Sequence, residues 1–124
     1  MNTLHDALAP VLRDVVATTD VDLRIEDGDW SDEHGPYVWI TTPDGSATMV
    51  HVNLTQTVAE QVAAVAEQVQ EIVIEEHWAR ASNWPMCPAH RSTHPLEVRM
   101  TPAGPCWTCP ADEIPVVAVG SLML

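Results

Sequence analysis

All three cysteines of the chain stand in its last third, in Cys87-Pro88-Ala89-His90 and, after fifteen intervening residues, in Cys106-Trp107-Thr108-Cys109. Two residues between donors let one tight turn aim both at a single ion. A Cys-x-x-His knuckle answered by a Cys-x-x-Cys knuckle is therefore ligand spacing for a closed tetrahedral site, and the fold has to bring the two knuckles together. Thiolate and imidazole are donors that Zn2+ takes in preference to the oxygen-loving ions, so zinc is the cofactor that this spacing implies.

Cys87, His90 and Cys109 read as ligands, and the fourth place goes first to Cys106, next to His94 and last to Asp112. His94 enters because it follows His90 by four residues. Asp112 enters through an internal echo. Trp84-Pro85-Met86-Cys87-Pro88-Ala89-His90 and Trp107-Thr108-Cys109-Pro110-Ala111-Asp112 both run Trp, then Cys-Pro-Ala, then a residue able to bind metal. An aspartate would be the unusual choice among thiolates and imidazoles.

An odd number of cysteines leaves one thiol over in any set of disulfides, which again favours ligands over bridges. The opening Met1-Asn2-Thr3-Leu4-His5-Asp6 has neither the basic head nor the apolar run of a secretory signal. No apolar segment approaches the roughly 20 residues that span a bilayer. The expected setting is a reducing cytoplasm, that of a bacterium or of a phage's host, with no membrane contact.

The net charge is −13, the chain contains no lysine, and fifteen of its eighteen acidic residues lie in residues 1–83. Such a field repels phosphate backbones, so direct nucleic-acid binding is not expected. It suits a protein partner with a basic surface, imitation of DNA towards a nucleic-acid enzyme, or plain solubility. A homo-oligomer is the other use for apolar side chains left at the surface, for which Trp30, Trp39 and Ile74 are candidates.

Ahead of the knuckles the pattern is that of an α+β body. Leu4, Leu8, Val11, Leu12, Val15 and Val16 recur at helical spacing over Thr3 to Thr18, with Pro10 either starting or bending the helix. Val21 to Glu26 alternates apolar and charged residues as a half-buried strand does. Tyr37 to Thr42 and Ala47 to Leu54 form a hairpin around Pro43-Asp44-Gly45. A long helix starts behind Thr57, with Glu60 as its capping-box partner, and runs to about Ala81 with Val58, Val62, Val65, Val69 and Ile72 as its buried stripe. Leu96 to Met100 and Ile114 to Val119 are strands flanking the second knuckle, and Pro102, Gly104 and Pro105 mark a turn. The expected division is an acidic α-β-β-β-α body over residues 1–82 and a zinc-ribbon-like module over 83–124.

Enzyme motifs are incomplete. Pro105-Cys106-Trp107-Thr108-Cys109 matches half of the zinc deaminase signature, but its His-x-Glu half is missing, and no His-Glu-x-x-His occurs. Asp27 to Glu33 alternates oxygens like a calcium loop without the glycine at its sixth place or the glutamate at its twelfth. The chain reads as a non-enzymatic interaction protein with a structural zinc, and a zinc hydrolase would need an open coordination position.

Taken together, Trp84-Pro85-Met86-Cys87-Pro88-Ala89-His90, His94-Pro95-Leu96, Trp107-Thr108-Cys109-Pro110 and Val119-Gly120-Ser121-Leu122 resemble a group of small proteins of actinobacteria and their phages, over about residues 57 to 122. The resemblance implies a zinc-binding C-terminus in which Cys87, His90, His94 and Cys109 recur. It carries no activity with it. Cys106 departs from that pattern, and on the residues alone the fourth ligand stays open.

Overall fold

A computed structural model of the protein describes residues 3–28, 35–77, 83–90 and 94–123. The elements are α1 (Thr3–Thr18), β1 (Arg24–Asp27), β2 (Tyr37–Thr41), β3 (Ala47–His51), α2 (Val58–His77), β4 (Glu97–Thr101), β5 (Gly104–Thr108) and β6 (Pro115–Ala118). The fold is α+β. A helix, an antiparallel sheet ordered β1-β2-β3 and a long helix are followed by a second antiparallel sheet ordered β4-β5-β6.

α1 runs through Pro10 without ending there. The ring removes the bond that the Asp6 carbonyl would accept, and burial of Leu4, Ala7, Leu8, Val11 and Val15 on one stripe offsets that loss. Pro10 also meets the last turn of the chain. Gly120 has a φ of +103°, and a Cβ there would lie 2.8 Å from Pro10 Cβ, so both the backbone conformation and the close approach call for glycine.

α2 begins as expected. The Thr57 N–H donates to Glu60 Oε1 at 3.0 Å and the Glu60 N–H donates to Thr57 Oγ1 at 3.1 Å, which closes the capping box. Its buried stripe is turned slightly from the expected one. Gln61, Val65, Ala66, Val69, Ile72 and Val73 are buried, whereas Val58 in the first turn is exposed. Ile74 packs half-buried against the core, which answers for its place off the stripe.

In the first sheet, Val38, Ile40 and Val50 face the core while their neighbours Trp39 and Met49, paired across β2 and β3, face out. In the second, Val98 and Trp107 are paired and buried. The expected turn at Pro102, Gly104 and Pro105 is shorter than its composition suggests. Only Pro102 and Ala103 turn, and β5 begins at Gly104. Pro105 lacks an N–H, but its carbonyl still accepts from Val119 N–H at 3.1 Å, so it serves β5 as an acceptor.

One core cluster runs through both halves of the chain, joining Leu8, Val15, Ile40, Val69 and Val73 to Trp84, Cys87, Leu96, Trp107 and Cys109. The expected boundary at residue 82 lies outside the described residues, as do Trp30 and all but the first two residues of the calcium-like loop.

Candidate metal centre

Two chain segments reach the centre, and α2 holds the first of them. Leu96 N–H donates to Pro85 O at 2.7 Å, and Met86 bridges to Pro95, so the chain entering and leaving residues 87–94 is paired like a short ladder. From α2 the Gln70 amide donates to the carbonyls of both arms, Trp84 O at 3.0 Å and Leu96 O. Between the arms, the His90 N–H donates to Cys87 O at 3.2 Å, which makes the tight turn that the Cys-x-x-His spacing requires.

The second segment follows β5. Cys109 N–H donates to Ile114 O at 3.1 Å, Glu113 N–H donates to Cys109 O at 2.8 Å, and Asp112 N–H points at Cys109 Sγ at 3.5 Å. Glu113 takes the left-handed conformation, φ 57°, that lets this turn close.

The side chains of Cys87, His90, His94 and Cys109 converge, and one donor atom from each lies within 4.8 Å of all the others. These four could hold a metal ion. The two sulfurs are buried and the two imidazoles half-buried, so the sulfurs face the core and the rings face outward. His90 Nδ1 stands 3.5 Å from Cys87 Sγ and 3.6 Å from Cys109 Sγ, and His94 Nε2 stands 3.9 Å from Cys109 Sγ. One ring nitrogen thus stands nearly equidistant from two sulfurs, an arrangement compatible with a shared ion.

Cys106, the first choice for the fourth place, is outside this group, and His94 takes that place. The reason is the strand. Cys106 lies within β5, opposite Arg99 and Ala118, and its thiol is 3.6 Å from Thr101 Oγ1. Cys106 is held inside the strand, just ahead of a register shift at Trp107/Thr108, whereas Cys109 lies beyond the strand's end; Trp107 and Cys109 join the core cluster and Cys106 does not. A Cys-x-x-Cys pair shares a metal only around a turn. Asp112 does not join the group either. Its Oδ2 lies 4.0 Å from His90 Nε2, on the side of the ring away from the sulfurs.

Three supporting residues escaped the sequence reading. Asp14 on α1 is fully buried and accepts from Trp107 Nε1 at 2.8 Å, Gly120 N at 2.7 Å and Leu122 N at 2.9 Å. Thr18, one turn further on, accepts from Trp84 Nε1 at 3.0 Å. Trp84 and Trp107, which precede Cys87 and Cys109, thus anchor on one stripe of α1, and they meet edge to face at 5.4 Å. The signal for Asp14 was a carboxylate three residues after Val11, on the apolar stripe. Gln70, the third, had no local signal.

Compared with protein-family models, with curated proteins and with solved structures, the chain matches none.

Proposed function

We propose that the protein is a structural zinc protein whose acidic surface serves as an interaction module for a basic protein partner, with Cys87, His90, His94 and Cys109 as a closed set of ligands. The observation that carries the zinc reading is the spacing of the donors. Zinc bonds of about 2.3 Å to thiolate and about 2.0–2.1 Å to imidazole, at tetrahedral angles, separate sulfur from nitrogen by roughly 3.6 Å. Three of the four sulfur–nitrogen distances are 3.5, 3.6 and 3.9 Å, and every pair of donors lies within 4.8 Å.

Four protein donors fill a tetrahedral ion and leave no place for an activated water, which argues for a structural role over hydrolysis. Zinc stoichiometry on the purified chain tests the reading. One tightly held zinc is expected in the parent and in Cys106→Ser, and loss of it in His94→Ala. A parent without zinc overturns the assignment, as does loss in Cys106→Ser with retention in His94→Ala.

The interaction reading rests on the charge of −13 and on exposed Trp39 and Met49, an apolar pair on the outer face of the first sheet. A second reading, imitation of DNA towards a nucleic-acid enzyme, draws on the exposed face of α2, where Glu67, Glu71 and Glu75 stand about one helical turn apart. Like charges at that spacing weaken a helix, so an ordinary surface does not favour them. Saturable, salt-sensitive binding to basic DNA-binding proteins that Glu71→Gln weakens would favour imitation. Weak, unsaturable binding would exclude it.

A further inference from the structure

The two imidazoles present different nitrogens to the centre, and each ring has an acceptor on its far side. His94 offers Nε2, while its Nδ1 lies 3.2 Å from the Pro95 carbonyl. A carbonyl only accepts, so Nδ1 carries the hydrogen and Nε2 is left with a lone pair for the ion. His90 offers Nδ1, and its Nε2 faces Asp112 Oδ2 at 4.0 Å. That separation is longer than a hydrogen bond, and the carboxylate is half exposed.

We propose that Asp112 is the positioning residue of the centre: its carboxylate holds the hydrogen of His90 on Nε2 and so fixes His90 as an Nδ1 ligand. The inference rests on the zinc reading above. Metal-bound histidines generally donate their other N–H to a carboxylate or carbonyl, which fixes the tautomer and raises the basicity of the ligand nitrogen. Asp112 also has a second tie to the centre, since its own N–H points at Cys109 Sγ at 3.5 Å. The echo in the sequence acquires a physical meaning. In Cys87-Pro88-Ala89-His90 the fourth residue is a ligand; in Cys109-Pro110-Ala111-Asp112 the same place supports the ligand supplied by the first knuckle.

A substitution at residue 112 keeps the backbone N–H and removes only the carboxylate, so the variant isolates its contribution. Zinc affinity is measured by competition with a chromophoric chelator, beside long-range proton–nitrogen NMR of the histidine rings in the zinc-loaded full chain. Asp112→Ala is expected to bind zinc about tenfold more weakly, at the lower end of the range for outer-shell groups because the carboxylate is partly solvated. Asp112→Asn, which keeps an acceptor oxygen, is expected between the two. In the parent, His90 is expected to be metal-bound at Nδ1 with its hydrogen on Nε2, and His94 the reverse. A parent that binds one zinc, with Asp112→Ala binding as tightly or His90 bound through Nε2, overturns this inference and leaves the zinc reading standing. A parent that binds no zinc removes both.

Discussion

Asp14 shows how much of this molecule depends on single polar side chains. Its carboxylate is buried on α1 and takes three hydrogen bonds, one from the Trp107 indole and two from the backbone of the closing segment at Gly120 and Leu122. A buried acceptor that satisfies three donors is costly to remove, because each donor is left without water as well as without its partner. Asp14→Ala is expected to lower the unfolding free energy by about 3 kcal/mol, read from urea denaturation; a loss below about 1 kcal/mol would show that the donors find other partners. His94 and Cys106 show the same dependence on placement. Both are candidate donors in the sequence, and only His94 joins the cluster, because Cys106 is held inside β5.

At the scale of elements, α2 is the part from which the site is built. Its N-terminus is closed by the reciprocal bonds between Thr57 and Glu60, and Thr57→Ala is expected to cost about 1 kcal/mol in thermal or urea unfolding. Along its length two glutamines reach sideways to backbone. Gln68 pairs with both the N–H and the carbonyl of His51 at the edge of the first sheet, and Gln70 ties together the two arms of the metal loop. Gln68 therefore satisfies backbone groups that an edge strand would otherwise offer to another chain.

The capping box also sets a pH dependence. The Thr57 N–H, with the Thr57 hydroxyl second, holds the Glu60 carboxyl below its ordinary value of 4.5. In the turn between β2 and β3, the Thr42 hydroxyl, with the Ser46 N–H second, holds Asp44 below 3.8. Both groups bind protons less readily in the folded chain than in the unfolded one. The stability they contribute is complete above those ordinary values and is lost as pH falls through the lowered ones. The gap in melting temperature between the parent and Glu60→Gln is expected to be constant from pH 7 to about 5 and to close on further acidification. A gap that persists when the carboxyl is fully protonated would show that the carboxylate's charge is not what the cap uses.

At the scale of the whole molecule, the centre and the helices share one core. Trp84 and Trp107, each a few residues ahead of a cysteine of the cluster, pack on each other and bond to Thr18 and Asp14 of α1. Zinc removal is expected to loosen both knuckles and, through these tryptophans, the α1 stripe on which they sit. A chelator should therefore shift tryptophan emission and lower the melting temperature of the far-ultraviolet helix signal together. A helix signal that melts unchanged while tryptophan emission shifts would show that the helices stand independently of the centre.

Much of the fold was legible because it is local. Helical and strand periods, the Thr57 capping box, the hairpin around Asp44-Gly45 and the Cys-x-x-His turn are all written in residues a few positions apart, where backbone sterics and side-chain spacing act directly. So were the donor type and three of its four members. Only the tertiary structure decided the fourth member of the cluster, because that choice depends on β5 holding Cys106 inside the strand and ending before Cys109. It also decided the partners of Asp14 and Gln70, reached across 93 and 26 positions of sequence. Contacts at that separation depend on how whole elements pack and leave no local pattern in the sequence.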